Sequence, residues 1–383
     1  MSLTHRVPLT HDHVLGAAAL LRDERGLVVS RLPEHAEARG ADAMLLMAGQ
    51  QPSGVRVAFT STASVVEVHA IAIRRSHGGT PRPPGVHELV VDGVVVASGS
   101  LDGGDLMDVD PMTGAPTGLV TGSAGTLRFE VPGPVGVTRR VEVWLPHDEA
   151  TRLVEVRTDA PVTPVPAGRR WLHHGSSISQ GSNATHPTGT WPAVAARRAG
   201  WELVNRSYGG SALLDPFTAD HLARTPADLV SLKIGINVVN LDLMRRRAFV
   251  PALHGFLDRV RAGHPDVPLW LVTPVLCPIH ERTPGPALPD PEALAEGRLA
   301  FRATGSPEQV AFGALTLEGV REAVAQVHAA RRTEDPQLHL LSGLELYGEA
   351  DHDRHPLPDA LHPAPQTHVE MGERFADLVL SRA

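Results

Sequence analysis

The chain has 383 residues with a net charge of −8, and 42% of its residues are hydrophobic and 20% charged. This composition is typical of a globular protein and argues against disorder and against a basic nucleic-acid-binding surface, while the length predicts two domains. The single cysteine, Cys277, excludes an intrachain disulfide and a multi-cysteine zinc site, and we interpret it as a small buried residue.

The N-terminal segment does not have the pattern of a secretory signal. Its apolar run, Val14–Leu21, is short, and charged residues close it without a small-residue cleavage site. No stretch approaches the roughly 18 consecutive apolar residues of a membrane-spanning helix. We therefore expect a cytoplasmic protein that does not bind membranes or nucleic acid.

Residues 1–160 contain short β-rich runs separated by Gly/Pro turns. The dipeptide Asp92-Gly93 lies between two runs of apolar residues and predicts a hairpin with a two-residue type I′ turn. Short strands at this spacing predict an accessory domain over residues 1–160 that is an all-β sandwich or jelly roll. The predicted strands are Val55–Thr60, Val65–Ile73, Glu88–Ala97, Thr126–Val131, Val137–Leu145 and Arg152–Arg157.

Residues 161–168 form a Pro-rich linker in this interpretation. The segment contains Pro161, Pro164 and Pro166, and consecutive prolines stiffen a chain. Because proline lacks the N–H that a strand in a sheet donates, we expect this stretch to join the domains without pairing in a sheet.

Residues 169–383 have a different sequence pattern, in which strand-like runs alternate with helical ones. This alternation predicts right-handed βαβ units and a five-stranded parallel sheet, with ligands at the carboxyl ends of the strands. The long Pro/Gly-rich connection at residues 278–307 is expected to be a lid or binding loop. The predicted strands are Arg170–His174, Glu202–Asn205, Leu229–Ile234, Leu269–Val272 and Leu338–Leu341, and the predicted helices are Trp191–Ala199, Phe217–Arg224, Arg247–Ala262, Leu317–Arg331 and Thr367–Leu380.

Four polar segments within residues 169–383 have the residue types that acyl transfer requires. A serine hydroxyl needs a base to take its proton, and His362 is suited to that role because the ordinary pKa of histidine, about 6.5, lies near neutral pH. Asp359 lies three residues earlier, a spacing that lets its carboxylate accept a hydrogen bond from the imidazole. Backbone N–H groups and an amide side chain supply an oxyanion hole. The segments are Gly175-Ser176-Ser177-Ile178-Ser179, Asn205-Arg206-Ser207-Tyr208-Gly209-Gly210, Gly235-Ile236-Asn237 and Asp359-Ala360-Leu361-His362.

In this order, the four segments resemble the signature blocks of the GDSL/SGNH hydrolase superfamily. The resemblance covers residues 168–383 and is most similar to bacterial two-domain GDSL-like lipase/acylhydrolases with an N-terminal β-sandwich, one branch of which contains natural-product acyltransferases. It implies a flavodoxin-like three-layer α/β/α catalytic domain over residues 169–383, without metal or organic cofactor. It also implies Ser177 as nucleophile, Asp359 and His362 as the rest of the triad, and Ser177, Gly210 and Asn237 as the oxyanion hole.

The chain departs from the family pattern at several positions. Ser176 stands where the first block usually has Asp, and Ser207 stands where many members have Gly. Ser176 and Ser179 are therefore alternatives to Ser177 as nucleophile, and Gly209 is a one-residue alternative to Gly210. The α/β-hydrolase fold is excluded because its Gly-x-Ser-x-Gly motif is missing here.

The predicted function is a serine esterase or acylhydrolase that acts on a small acyl ester through an acyl-enzyme. Three alternatives are an acyltransferase with an alcohol or sugar acceptor, a carbohydrate deacetylase, and a non-enzymatic binding module with a vestigial triad. The 4% aromatic content disfavours a sugar-stacking surface. The sequence does not predict an oligomeric state.

Three further segments suggest function but are interpreted structurally. The acidic and histidine-rich residues 351–355 lack a complete metal-ligand set, and the four aspartates of residues 102–110 miss the EF-hand spacing, so both are expected to be polar loops. The triplet Asn183-Ala184-Thr185 has the form of a glycosylation acceptor and is also interpreted as a loop.

Overall fold

The computed structural model describes residues 3–77, 80–110 and 113–382. The chain divides into two compact units. The first consists of Met1–Gly168 with Thr185–Ala193, and the second of Arg169–Ala184 with Val194–Ala383. A short segment that follows residue 169 in the sequence, Thr185–Ala193, therefore belongs to the first unit.

The first unit is a β-sandwich whose two sheets share one apolar core. One sheet has the strand order β11-β10-β6-β14-β4-β3, with β1 on β14 and with β7 and β12 on β6, and the other has the order β15-β5-β13-β8-β9, with β2 on β5. Apolar side chains of both sheets, such as Val68 and Phe59, are fully buried between them. The strands are β1 (His5–Arg6), β2 (Val14–Leu15), β3 (Ala19–Asp23), β4 (Gly26–Ser30), β5 (Arg56–Ser61), β6 (Val65–His77), β7 (Thr80–Pro81), β8 (His87–Val91), β9 (Val94–Gly99), β10 (Asp105–Val109), β11 (Pro116–Val120), β12 (Gly125–Glu130), β13 (Arg139–Trp144), β14 (Ala150–Thr158) and β15 (Val162–Thr163).

The turn between β8 and β9 has the predicted geometry. Asp92 has a φ of 49° and Gly93 a φ of 83°, so both central residues have the positive φ of a type I′ turn. The predicted hairpin is thereby confirmed.

The linker differs from the prediction. Val162 and Thr163 form an antiparallel pair with Ser61 and Thr60 of β5, so the expectation that residues 161–168 do not pair in a sheet is wrong at these two positions. Both lie between prolines and keep their own N–H groups, and they sit at the edge of their sheet, where neighbouring proline is tolerated.

The aspartate-rich residues 102–110 also differ from the prediction, because Asp105–Val109 is strand β10 and pairs in parallel with β6. Asp105 is buried and accepts two hydrogen bonds from Arg25, at 2.7 and 2.8 Å. An ion pair with a residue 80 positions away stabilises this strand, and a local sequence pattern does not reveal it. Helix α1 (Ala43–Gln50) of this unit was likewise not predicted.

The second unit is built on a parallel sheet in the order β17-β16-β18-β19-β22. Trp171 stacks on Phe375 of helix α10, whereas His174 stacks on Phe256 of helix α6. Residues 171 and 174 of one strand point to opposite faces of the sheet, so α10 and α6 lie on opposite faces. The sheet with helices on both faces is the predicted flavodoxin-like three-layer fold. The strands are β16 (Arg170–Gly175), β17 (Glu202–Asn205), β18 (Leu229–Lys233), β19 (Leu269–Val272), β20 (Ala287–Pro289), β21 (Phe301–Ala303) and β22 (Leu338–Leu341).

The helices that follow α1 in the chain are α2 (Ser177–Gln180), α3 (Trp191–Ala199), α4 (Pro216–Arg224), α5 (Ile236–Asn240), α6 (Arg246–Gly263), α7 (Pro291–Ala295), α8 (Leu317–Arg331), α9 (Glu349–Arg354) and α10 (Pro365–Leu378). The long connection after β19 contains α7 and the hairpin of β20 and β21. Among the described residues, no helix is both long and apolar enough to cross a membrane.

Candidate active site

Ser177 lies two residues after the carboxyl end of β16, which is the neighbour of the central strand β18. It is the first residue of α2, and Ser176 precedes it in an extended conformation. The first N–H groups of a helix have no acceptor within the helix, so the backbone N–H of Ser177 has none within α2. Gly175 is required before this turn because a Cβ there would lie 2.6 Å from Ser179 Oγ.

Three of the predicted residues form a hydrogen-bonded chain. Ser177 Oγ lies 2.9 Å from His362 Nε2, and His362 Nδ1 lies 2.8 Å from Asp359 Oδ2. This geometry indicates the tautomer of His362 with its proton on Nδ1, which leaves Nε2 free to accept the proton of Ser177. A hydroxyl, an imidazole and a carboxylate are thus in contact, which is the arrangement that a nucleophile, its base and a group that orients the base require.

The carboxylate of Asp359 accepts N–H groups on both oxygens. The backbone N–H groups of Leu361 and His362 donate to Oδ1 at 3.0 and 2.7 Å, and the side-chain amide of Asn183 donates to Oδ2 at 3.3 Å. Burial by itself raises the pKa of this carboxyl, but the hydrogen bonds from His362 and Leu361 outweigh it and lower the pKa below its ordinary value. Asp359 is therefore held as the ionised partner of the imidazole.

The neighbouring serines do not have this geometry. Ser176 Oγ and Ser179 Oγ are buried and have no hydrogen-bond partner among the described residues. Of the three serines of the segment, only Ser177 contacts His362.

The loop after β17 presents Gly210 in preference to Gly209. The backbone N–H of Gly209 already donates to Gln180 Oε1 at 2.7 Å. Gly210 has a φ of 73°, which a side chain would disfavour, and its N–H has no acceptor in the described part of the chain. Gly210 is thus the residue of the pair with an available donor.

Asn237 lies at the start of α5, after the carboxyl end of β18. Its Oδ1 accepts the backbone N–H of Ala212 at 3.1 Å, which ties α5 to the loop that carries Gly210 and fixes the orientation of the amide. Asn237 is buried, and no described residue accepts a hydrogen bond from its Nδ2, so this group remains for a ligand. The arrangement can therefore offer two backbone donors and one amide donor to a developing oxyanion.

The insertion after β19 reaches the loop that carries Asp359 and His362. The backbone N–H of Phe301 in β21 donates to the carbonyl oxygen of Asp359 at 2.9 Å, and its ring meets the ring of His362 edge-on at 6.0 Å. The sequence predicted a lid or binding loop at this insertion, but did not single out Phe301.

Asn183 and Gln180 are two more residues that sequence reasoning missed. Asn183 was interpreted as a loop residue within an apparent glycosylation acceptor, and its contact lies 176 positions away. Gln180 follows the nucleophile segment by one residue, and that adjacency is the only signal that could have pointed to it.

Cys277 and residues 351–355 have structural surroundings. Cys277 is fully buried, as predicted, and burial together with Glu281 and Asp359 raises the pKa of its thiol to about 12. Asp351 lies in α9 and pairs with Arg374 and Arg354, so the expectation of a loop at residues 351–355 is wrong. Among the described residues, no group of three or more His, Cys, Asp or Glu side chains could hold a metal ion.

Known proteins and protein families resemble this chain. The GDSL-like Lipase/Acylhydrolase family matches residues 174–369. No curated protein sequence matches the chain.

Several solved structures are similar over nearly the whole chain. The salicylyl-acyltransferase SsfX3 from a tetracycline biosynthetic pathway is 25% identical, with a TM-score of 0.78 and coverage of 98% of both chains. A putative GDSL-like lipase from Bacteroides ovatus is 16% identical, with a TM-score of 0.64 and coverage of 96% of this chain and 94% of that chain. The acetyl xylan esterase Est2A from Butyrivibrio proteoclasticus is 11% identical, with a TM-score of 0.55 and coverage of 100% and 99%, respectively. The last two likenesses show the fold alone.

Proposed function

The chain belongs to the GDSL-like lipase/acylhydrolase family, and on that premise we propose that it is a serine esterase that cleaves a small acyl ester through an acyl-Ser177 intermediate. The observation that carries the proposal is the contact of 2.9 Å between Ser177 Oγ and His362 Nε2, because this contact allows proton transfer as the nucleophile attacks.

In the first half of the proposed reaction, Ser177 Oγ attacks the ester carbonyl carbon and its proton passes to His362 Nε2. Asp359 stabilises the resulting imidazolium through Nδ1. The negative charge on the former carbonyl oxygen is met by the N–H groups of Ser177 and Gly210 and by Asn237 Nδ2. His362 then returns the proton to the departing alcohol oxygen, and the C–O bond to that alcohol breaks.

In the second half, an oxygen nucleophile attacks the acyl-Ser177 carbonyl and gives its proton to His362 Nε2. The bond between the acyl carbon and Ser177 Oγ then breaks, and His362 returns the proton to Ser177 Oγ. When the attacking oxygen nucleophile is water, the product is a carboxylic acid and the enzyme is an esterase. When it is an alcohol, the product is a new ester and the enzyme is an acyltransferase. The chemistry at Ser177 and His362 is the same in both cases, so acceptor binding and exclusion of water decide between them.

Acyl transfer is a second candidate function because of one specific observation. The salicylyl-acyltransferase SsfX3 matches both units of this chain, with 98% of each chain covered. A protein with this likeness over its full length supports acyl transfer as an alternative to hydrolysis. The carbohydrate esterase likenesses are too distant in sequence to support a sugar substrate.

The nucleophile is tested by Ser177→Ala with p-nitrophenyl acetate as substrate. We expect kcat/KM to fall by roughly 10⁴-fold or more, since triad residues act as a unit. Ser179→Ala is the matched control, because it removes a hydroxyl two residues away that does not contact His362, and it should retain activity within about twofold. Activity of Ser177→Ala within about tenfold of the parent would exclude the proposed mechanism.

Hydrolysis and transfer are separated by product analysis. The parent is incubated with an activated ester and a series of alcohols, and the ratio of carboxylic acid to new ester is measured. An esterase gives acid regardless of the alcohol, whereas an acyltransferase gives mainly ester with a preferred alcohol. A fluorophosphonate adduct located on Ser177 by mass spectrometry identifies the nucleophile without knowledge of the natural substrate.

A further inference from the structure

The hairpin β20–β21 of the insertion is fixed at two points of the second unit. Before β20, a Cβ at Gly285 would lie 1.8 Å from the carbonyl oxygen of Val239 in α5, so the chain passes directly against the helix that carries Asn237, an approach that requires glycine. In β21, the backbone N–H of Phe301 donates to the carbonyl oxygen of Asp359 at 2.9 Å. The hairpin is therefore held between α5 and the loop that carries Asp359.

One side of this hairpin carries only apolar side chains. Ala287 is paired with Ala303, and Pro289 with Phe301. Residues directly opposite each other in an antiparallel pair point to the same side, as do residues two apart in a strand. The four side chains therefore form one surface, which we call the apolar face. All four are half-buried, so part of this face is left for a ligand.

The apolar face is turned toward the imidazole of the triad. The ring of Phe301 meets the ring of His362 edge-on, with 6.0 Å between the ring centroids and 78° between the ring planes. This geometry is a favourable aromatic contact. Because Phe301 is only half-buried, its ring can make a second contact beside the imidazole.

The proposed mechanism brings the alcohol moiety of the ester to the same imidazole. His362 Nε2 gives a proton to the departing alcohol oxygen and takes one from an attacking alcohol, so that oxygen must come within about 2.6–3.2 Å of Nε2. The acyl group has no such requirement, because it is attached to the carbon that Ser177 attacks. A side chain in contact with the imidazole is therefore better placed to meet the alcohol moiety than the acyl group.

The chemistry of the apolar face favours one class of alcohol. Its side chains offer no hydrogen bond, so water or a sugar hydroxyl placed against them loses hydrogen-bond partners. An apolar group gains free energy there by leaving water, and an aromatic group can also stack on or meet the edge of Phe301. An apolar alcohol that covers this face also keeps water from the imidazole, which favours transfer over hydrolysis.

We propose that the apolar face binds the alcohol moiety of the substrate, with Phe301 as the specificity-determining residue, and that it selects aromatic or other apolar alcohols over water and sugars. The inference rests on the proposed function, because it uses the proton transfer between His362 and the alcohol oxygen. Phe301 contacts the substrate in this proposal and exchanges no proton with it.

The proposal is tested with three esters, methyl acetate, benzyl acetate and methyl phenylacetate. Benzyl acetate and methyl phenylacetate are isomers that carry the aromatic ring on opposite sides of the ester bond. Benzyl alcohol and methanol are alcohols of similar acidity, so a difference between their acetates reports binding of the ring. The value of kcat/KM is measured for each ester.

Three variants are compared with the parent. Phe301→Ala removes the ring, and Ala303→Asp places a charge on the apolar face while Phe301 stays in contact with His362. Leu288→Ala is the matched control, because Leu288 is a half-buried apolar residue of the same hairpin whose side chain points to the other side.

We expect the parent to have a kcat/KM for benzyl acetate that exceeds that for methyl acetate by roughly tenfold or more, the discrimination that an apolar contact of this size supplies. Phe301→Ala and Ala303→Asp should reduce this ratio to within about threefold of unity, and Leu288→Ala should leave it unchanged. A variant that only displaces His362 lowers kcat for all three esters alike and does not move the ratio.

A parent that does not prefer benzyl acetate over methyl acetate, or that prefers methyl phenylacetate over its isomer, would overturn the proposal. So would a ratio that stays at the parent value in both Phe301→Ala and Ala303→Asp. Failure of the proposed function is recognised separately, by p-nitrophenyl acetate activity that survives Ser177→Ala.

Discussion

The side-chain oxygen Oε1 of Gln180 accepts the backbone N–H of Gly209 at 2.7 Å. Gln180 is the last residue of the helix that begins at Ser177, so the nucleophile turn and the loop that presents Gly210 are joined directly. This bond decides between two adjacent glycines, because the N–H that it occupies cannot serve an oxyanion. We therefore propose Gly210 as the donor of that loop.

This relationship predicts the behaviour of Gln180 variants. Gln180→Ala should lower kcat by roughly tenfold, since it frees the loop and misplaces the N–H of Gly210. Gln180→Glu keeps an oxygen for Gly209 and should lose much less. Steady-state kinetics with p-nitrophenyl acetate measures both, and equal losses in the two variants would show that the bond itself is not what matters.

Asn237→Asp is a nearly isosteric test of the oxyanion hole. The aspartate keeps an oxygen that accepts the N–H of Ala212 but replaces the amide donor by a second oxygen. We expect kcat to fall by about 10²–10³, the usual cost of removing one oxyanion donor, with KM nearly unchanged.

Asn237→Ala distinguishes the two functions of this side chain. It removes both the donor and the acceptor for Ala212, so it should lower kcat as Asn237→Asp does and lower the melting temperature as well. Retention of kcat within twofold in Asn237→Asp would remove the amide from the proposed oxyanion hole.

The lowered pKa of the Asp359 carboxyl predicts that the stability of the protein depends on pH. The pKa of this carboxyl in the folded protein is lowered from the ordinary 3.8, so the folded state binds the proton less readily than the unfolded state does. The resulting stabilisation is fully present above the unfolded pKa and is lost as the pH falls through the folded pKa. The melting temperature of the parent should therefore exceed that of Asp359→Asn near about pH 6, and the difference should shrink as the pH falls below about 4.

The measurement is a series of thermal unfolding curves of both proteins across this pH range. A difference between the melting temperatures that grows on acidification would contradict the assignment. Asp359→Asn should also lower kcat by roughly 10⁴-fold, because an amide favours the wrong tautomer of the imidazole.

Elements with strong local signals could be predicted from the sequence. The strands Glu202–Asn205 and Leu269–Val272 and the helix Leu317–Arg331 have the bounds that their patterns predict. Each is buried in a layered α/β fold, where apolar runs and their interruptions mark the ends of the elements. The short strands β1–β4 and β10 could not be predicted in this way, because contacts between distant residues, such as Arg25 with Asp105, hold them.

In the candidate site as well, contacts between residues close in sequence could be predicted, whereas contacts between distant residues could not. Asp359 and His362 are three residues apart, and their bond could be anticipated from that spacing. The choice between Gly209 and Gly210 depends on Gln180, 29 positions away, and the contact of Asn183 depends on a loop 176 positions away. One sequence without the fold contains no local signal for such pairs.

Cys277 predicts a chemical property that is simple to measure. Its side chain is fully buried, and the pKa of the thiol is raised to about 12, so the reactive thiolate is scarce near neutral pH. The native protein should not react with a maleimide or with an aromatic disulfide reagent, whereas the unfolded chain should react with one equivalent. Rapid labelling of the native protein would show that the loop around Cys277 opens.

We expect substitution of Gly235 to lower the stability of the protein strongly. Gly235 precedes α5, has a φ of 114°, and a Cβ at this position would lie 2.4 Å from Val320 Cγ1. Gly235→Ala therefore combines backbone strain with overpacking and should lower the free energy of unfolding by about 2–4 kcal/mol. The change also shifts Asn237, so kcat should fall in the fraction that remains folded.

Gly255→Ala is the matched control for this prediction. Gly255 lies within helix α6, and nothing lies within 4 Å of the Cβ that alanine would add. Alanine is a better helix former than glycine by about 0.5–1 kcal/mol, so Gly255→Ala should raise the melting temperature and leave kcat unchanged. Because the two variants make the same chemical change in the same unit, opposite shifts in urea or thermal unfolding would assign the loss to the positive φ of Gly235 and its contact with Val320. Equal shifts would refute that assignment.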